Sequence, residues 1–488
     1  MTTFRIWILV LLIIPSLGFS RQQVPQSPAV QQAAELEEQG RFVEATAVLG
    51  QAIANQIRSP YPEIRKELEF ELDRLDRIRK DFPLTKSELF DVLSKSVKDL
   101  TTEEFEGWVG EGRFDSRMID SVVYFMGSSR SNVFFRYPEL RSRRINPPDL
   151  SRFEQSALTA VRSIRQAAME RSAPFVLPKR FRNTMTVTVK PDAVPAGKII
   201  RAWLPVPKAF PHQFSINVVL SSSPVKTMAS MDSPIRSAYF EQKAEKGKST
   251  VFNVQYEYTA FGIWFNLQPM TVQPYDATDP VYREYTSQGP HVAFTDKIRQ
   301  LSRELADTVV NPLTKAKIFY DWISETVQYS YALEYSTIRN ISEYCLNKRY
   351  GDCGQAGLLF ITLCRSNGIP ARWQSGWFTM PGGKTIHDWA EIYVNPYGWI
   401  PVDPYMGVFA MQYFSGSADE QKEIRDFYFG GLDQYRMAAN SDHCMSLDPP
   451  KQSMRSDNVD FQRGELEYEN TNIYFDMYSF SLSVEEIQ

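Results

Sequence analysis

Apolar and polar residues alternate with a period of two over much of residues 182–262. Thr184-Met185-Thr186-Val187-Thr188-Val189 is one such run, and Val251-Phe252-Asn253-Val254-Gln255-Tyr256-Glu257-Tyr258 is another. Between them, Ile199 to Val206 is strand-like and then broken by Pro205 and Pro207. Successive side chains of a strand face opposite ways, so this texture predicts an antiparallel sandwich or barrel, placed at 181–265.

Upstream, residues 21–180 carry the spacing of helices. Within Gln32–Ala54, the residues Ala34, Leu36, Gly40, Phe42, Ala45, Leu49 and Ile53 fall as in one helix-turn-helix of the tetratricopeptide kind. A single copy cannot bury its own apolar face, and no second copy follows at the 34-residue period. It reads as a packing element, with a surface for a protein partner as the alternative. The charged run from Glu63 to Lys80 reads as a solvated helix face. At the very start, Arg5 precedes the apolar run Ile6–Ile14, and Gly18 and Ser20 are small. This is the pattern of a secretory signal at 1–20, cleaved after Ser20. The run falls short of the ~20 residues that span a bilayer. The expectation is a periplasmic or secreted chain with no membrane span after cleavage.

The third texture begins near 285. Thr314–Ile323 has helical spacing, with Ile318 and Trp322 on one face. Gly354 to Arg365 is an apolar run of helical length, stopped by Asn367-Gly368 and Pro370. Asp352 is a plausible N-cap, which places Cys353 in the first turn. His387–Val394 is strand-like, Asn395-Pro396-Tyr397-Gly398 is a turn, and Trp399–Asp403 returns until Pro404. A hairpin centred on Pro396 and Tyr397 sets Asp403 opposite Ala390, with His387 one diagonal step away.

Charge and composition narrow the chemistry. A net charge of −4 argues against a nucleic-acid footprint. The four histidines (212, 291, 387 and 443) are dispersed, no Cys/His spacing suits zinc, and no Gly-rich phosphate loop follows a strand. No metal or other cofactor is expected. Only four cysteines occur, yet Cys353, His387 and Asp403 stand in order within one short Gly- and Trp-rich segment. A thiol, an imidazole and an orienting carboxylate are the parts of a nucleophilic acyl-transfer site. A thiol in the first turn of a helix is expected to ionise below its free value of about 8.5. Its own backbone N–H would point towards the oxyanion. Cys364 reads as a core thiol. Cys345 and Cys444 carry no assignable chemistry, and a disulfide between them is left open.

Gly351-Asp352-Cys353-Gly354, Leu363-Cys364-Arg365-Ser366-Asn367-Gly368-Ile369-Pro370-Ala371-Arg372, His387-Asp388-Trp389-Ala390-Glu391 and Gly398-Trp399-Ile400-Pro401-Val402-Asp403-Pro404 together resemble the transglutaminase-like superfamily, over roughly 310 to 410. The resemblance, to secreted bacterial multi-domain members in particular, implies a papain-like core with strands packed on the Cys353 helix. It implies Cys353 as nucleophile, His387 as base and acid, and Asp403 as orienter. A second oxyanion donor should come from upstream, with Gln328, Tyr329 and Asn347 as candidates. Asn347 stands six positions before Cys353, where papain-like enzymes place an amide, whereas the family often uses an aromatic donor. Tyr428–Arg436 resembles a segment that often trails this core, so Gly430 and Gly431, with Trp389, are candidates for the substrate cleft.

The expected fold is α+β: a helical region (21–180), an antiparallel β domain (181–265), a transglutaminase-like core (285–415) and an extension (416–488) packed on that core. The expected function is exported acyl transfer from a cysteine nucleophile, on peptide or glutamine amides of a protein or peptide substrate, with hydrolysis favoured. Cross-linking of proteins is one alternative. A non-catalytic scaffold on the same core is the other.

Overall fold

The computed structural model of the protein describes residues 27–55, 62–268 and 270–488. The expected signal at 1–20 lies outside the described residues. Among the described residues no helix is long and apolar enough to cross a membrane. The chain divides into two units, Met1–Leu72 and Asp73–Gln488.

In the first unit, helices Pro28–Glu38 and Phe42–Asn55 form the expected hairpin. Gly40 makes the turn at φ +75°, a conformation that costs glycine little. Val30, Ala33, Phe42, Ala45 and Leu49 are buried.

In the second unit the helical region continues to Arg171, interrupted by an unexpected short hairpin, Ser116–Ile119 with Val122–Phe125. The charged run is not a purely solvated face. Arg77 is buried, ion-paired with Asp73 at 2.9 Å and stacked on the Tyr474 ring at 4.4 Å. A long guanidinium stem covers apolar surface while its head finds a carboxylate, so a charged periodicity does not by itself mean solvation.

The alternating segments form two facing sheets. In one, Phe175–Val189 lies between Thr250–Trp264 and Tyr478–Ile487. In the other, Ile199–Pro205 lies between Ser237–Lys243 and Glu465–Tyr468. Met185, Val187, Ala202, Leu204, Phe240, Phe252, Val254, Leu466 and Leu482 fill the space between them. The strands after 460 therefore complete the β domain. They are not an extension laid on the surface of the 285–415 core. The identity of their partners depends on pairing across some 300 positions, which no local pattern carries.

The third module packs helices Pro312–Thr326, Ile341–Lys348 and Cys353–Arg365 against a four-stranded sheet. The sheet runs Gly398–Val402, Thr385–Val394, Ala371–Phe378 and Arg436–Asn440. Leu358, Leu359, Ile361, Leu363 and Cys364 of the central helix meet Trp373, Ala390, Ile392, Ile400 and Val402 of the sheet. The hairpin register differs by one from expectation. Val394 pairs with Gly398 across a three-residue loop, so Ala390 faces Val402 and Asp403 follows beside Trp389. A one-residue slip moves a side chain to the other face of a strand. Here it puts Asp403 on the His387 face.

Candidate active site

Asp352 caps the helix Cys353–Arg365. Its side chain accepts from the Gln355 N–H at 3.1 Å, and Gln355 Oε1 accepts from the Asp352 N–H at 3.4 Å. Cys353 is thereby fixed in the first turn, as expected. Tyr335 locks the cap from outside, its hydroxyl donating to Asp352 Oδ1 at 2.6 Å.

On the sheet, His387 Nε2–H donates to Asp403 Oδ2 at 2.7 Å, and both side chains are wholly buried. Arg436 supports the pair from the edge strand Arg436–Asn440, beyond Ala371–Phe378. Its Nη1 donates to Asp403 Oδ2 at 2.8 Å, while Nε and Nη2 reach Asp433 Oδ2 at 3.0 and 2.9 Å. The Tyr428 hydroxyl also donates to Asp433, at 2.9 Å. Burial works to raise the Asp403 carboxyl, but His387 and Arg436 outweigh it and hold the group below its ordinary value. Burial lowers His387 despite the attraction of Asp403, so the resting imidazole is neutral. Nothing local in the sequence points to the Asp433–Arg436 support; the resemblance over Tyr428–Arg436 points to a cleft instead.

The thiol departs from expectation. Cys353 Sγ donates to Asp388 Oδ2 at 3.4 Å. Strand alternation explains this. Asp388 shares the face of Ala390 and Ile392, which meets the helix, whereas His387 shares the face of Trp389, which packs in a different core with Ile263, Leu432 and Ala438. Burial, then Asp388 and Asp352, push the thiol well above its ordinary value rather than below it. The helix-end effect is worth about 1 kcal/mol at most sites. Two carboxyl groups in a buried pocket overcome it.

Tyr405 lies next to both groups. Its ring meets His387 edge-on at 5.4 Å, and after burial the Cys353 sulfur is the foremost influence raising its phenol. Tyr329, one of the candidate oxyanion donors, packs on Tyr405 at 5.1 Å and is likewise influenced by Cys353. Phe135, from helix Ser129–Arg136, meets the Tyr329 ring at 4.8 Å. The helical region thus packs on the Tyr329 ring. The other two donor candidates lie elsewhere. Asn347 is exposed and bound by Lys297 Nζ at 2.9 Å. Gln328 lines a separate surface cavity with Arg141, Lys348 and Gln412.

The cleft candidates are interior. Trp389 is buried and stacks on His387 at 6.0 Å. Gly430 and Gly431 are buried in a strand-like stretch beside Ile263 and Trp264, and a Cβ on Gly431 would stand 2.5 Å from Phe427 O. All four cysteines are free, so Cys345 and Cys444 form no disulfide. Among the described residues no group of His, Cys, Asp or Glu could hold a metal ion.

Gly354 shows how tightly the pocket is built. A Cβ there would lie 2.2 Å from Tyr335 Oη, 2.7 Å from Asp388 Oδ2 and 2.9 Å from Trp373 Cη2. Gly354→Ala should destabilise the fold by about 1–3 kcal/mol, read as a lower urea midpoint. An unchanged midpoint would mean that the pocket is softer than it looks.

Residues 299–404 match the family model of the transglutaminase-like superfamily. The Bacillus subtilis protein YebA, itself uncharacterized, is 25% identical over 147 residues, which is 25% of this chain and 20% of that protein. The match therefore spans a fifth of that relative's length. A Cytophaga hutchinsonii structure provisionally named a cysteine protease aligns with 64% of this chain and 92% of its own, at 14% identity and TM-score 0.44. The periplasmic domain of TgpA from Pseudomonas aeruginosa aligns with 53% and 94% respectively, at 16% identity and TM-score 0.26. With the capped cysteine helix and its sheet in place, residues 299–404 of this chain form a transglutaminase-like domain.

Proposed function

We propose that the protein is a cysteine-nucleophile acyl transferase that opens peptide or glutamine-side-chain amides by hydrolysis. The observation that carries this reading is the buried His387–Asp403 pair, 2.7 Å apart, on the strand whose next residue, Asp388, accepts from the Cys353 thiol at 3.4 Å. Asp403 occupies Nε2, so Nδ1 is the nitrogen left to take a proton. The Cys353 S–H bond breaks, its proton passes to Nδ1, and the thiolate attacks the amide carbonyl. A carbon–sulfur bond forms as the carbonyl becomes an oxyanion. The Cys353 N–H and the Tyr329 phenol, which burial keeps protonated, are the donors we assign to that oxyanion. Imidazolium then protonates the departing nitrogen, leaving a thioacyl-enzyme. Water is the default acceptor, because transfer to an amine requires a site that excludes water.

The test is incubation with a glutamine-containing peptide and a labelled primary amine. We expect release of ammonia or of cleaved peptide to outrun incorporation of label. Incorporation that outruns hydrolysis would make the protein a cross-linker. No reaction of either kind, with Cys353 no more reactive than the other thiols, would favour a scaffold.

A further inference from the structure

Among the described residues Asp388 is the acidic side chain hydrogen-bonded to Cys353, and its surroundings are unusual. It is almost wholly buried at 3% exposure. Its Oδ2 accepts from Cys353 Sγ, and its Oδ1 accepts from Gln462 Nε2 at 2.5 Å. The same Gln462 amide also donates to the His387 carbonyl at 2.9 Å. Gln462 thus clamps both residues of the strand at once. Other acids face the group. Asp352 comes from the helix cap, and Asp457 and Asp460 come from the segment before Gln462. Tyr335 stands over it from the opposite side. Arg463, which acts on Asp352 and Asp460, is engaged by Asp457 at 3.1 Å and by Glu334 at 3.5 Å. No direct ion pair to Asp388 is formed among the described residues.

Two negative charges 3–4 Å apart repel strongly when one of them is buried. A carboxylate at Asp388 and a thiolate at Cys353 are therefore poorly compatible. A protonated carboxyl is a different partner, since it has an O–H to give.

We propose that Asp388 is a proton gate on the nucleophile: ionised, it holds Cys353 as a neutral thiol, and protonated, it donates to the thiolate and stabilises it. The inference rests on Cys353 being the nucleophile of the proposed reaction. In the closed form, Sγ–H donates to the Asp388 carboxylate. One proton from solvent enters Asp388. The original Sγ proton then passes to His387, the base assigned in the proposed reaction, giving thiolate and imidazolium, and Oδ2–H turns to donate to the sulfur. The charge of the three groups rises by one in the exchange, which is the proton taken up. Burial, then Asp460 and Asp352, raise the Asp388 carboxyl well above its ordinary value, so the uptake falls at higher pH than for an exposed acid. The reactivity of Cys353 should consequently grow as pH falls towards mild acidity, opposite to the trend of an ordinary thiol.

The test is the rate of alkylation of Cys353 by iodoacetamide between pH 5 and 8, located by mass spectrometry on the full chain. Asp388→Asn keeps the shape but is always neutral and always carries N–H donors. It should raise the rate at pH 7.5 at least tenfold and flatten the profile. Asp460→Asn removes the foremost acid acting on Asp388 and should move the wild-type profile to lower pH without flattening it. A folded Asp388→Asn variant that alkylates at the wild-type rate, or more slowly, at every pH overturns the inference. Should Asp388→Asn not fold, an unmoved Asp460→Asn profile overturns it equally. Failure of the underlying reading looks different: Cys353 then reacts no faster than Cys345, Cys364 or Cys444 in wild type and in both variants.

Discussion

Cys353→Ala should abolish amide turnover, lowering it by at least about 10⁴-fold, while leaving the fold intact. The substitution removes one sulfur from a helix start already secured by Asp352 and Gln355. It also relieves a buried carboxyl of a neighbour that it disfavours when ionised, so stability should hold or rise slightly. The check is paired: turnover of a glutamine peptide, and the urea midpoint of the same preparation. Retention of more than a hundredth of the wild-type rate would remove Cys353 from the nucleophile's role. Cys353→Ser serves as a companion, since a hydroxyl in the same place is a far weaker nucleophile without deprotonation.

The second large effect is expected at a residue that touches no substrate. Arg436→Met should destabilise the protein by about 3–5 kcal/mol, because it leaves Asp403 and Asp433 as buried carboxylates without their cation. The guanidinium holds both through three bonds of 2.8–3.0 Å, and all three side chains are 0–1% exposed. The effect has a pH signature. Asp403 is held below its ordinary value by His387 and Arg436. The stability it contributes is present above the unfolded carboxyl value of about 3.9 and is lost as pH falls through the folded value. Wild type should lose stability in that acid window, and the variant should lose less, having less to lose. The double variant Arg436→Met/Asp433→Asn should recover part of the deficit, since it removes one of the two stranded charges. Equal urea midpoints for wild type and Arg436→Met would show that water or a shifted side chain replaces the guanidinium.

These two residues mark what a linear reading can and cannot reach. Cys353, His387 and Asp403 are legible because each sits at a punctuated place: a cap before an apolar helix, the head of an alternating strand, and an Asp-Pro that ends one. Local rules of capping and alternation are enough to place them. Arg436 and Asp388 follow from register and facing. A slip of one residue at Gly398 decides which face Asp403 joins. The parity of residue 388 decides that an acid, and not the imidazole, meets the thiol. Both depend on which strand lies beside which, and nothing within a few residues encodes that. The acidity of Cys353 failed for the same reason. The helix end was read correctly, but the carboxyls that outweigh it come from Asp388, thirty-five positions away, and from the cap itself. The β domain divides similarly. Its alternating strands were readable, while the partners that close its sheets come from the far side of the catalytic module.

That last arrangement bears on how the molecule can be cut. The strand Phe175–Val189 is covered along one side by Tyr478–Ile487, and Ile199–Pro205 by Glu465–Tyr468. The transglutaminase-like module is therefore an insertion between two parts of one sandwich, and the sandwich is not a detachable leader to it. A fragment ending near 265 would carry two raw strand edges, one on each sheet. Such edges recruit other chains into continuous β pairing. Shuffling this catalytic module between scaffolds is thus a matter of replacing an interior segment between fixed flanks rather than of joining modules end to end.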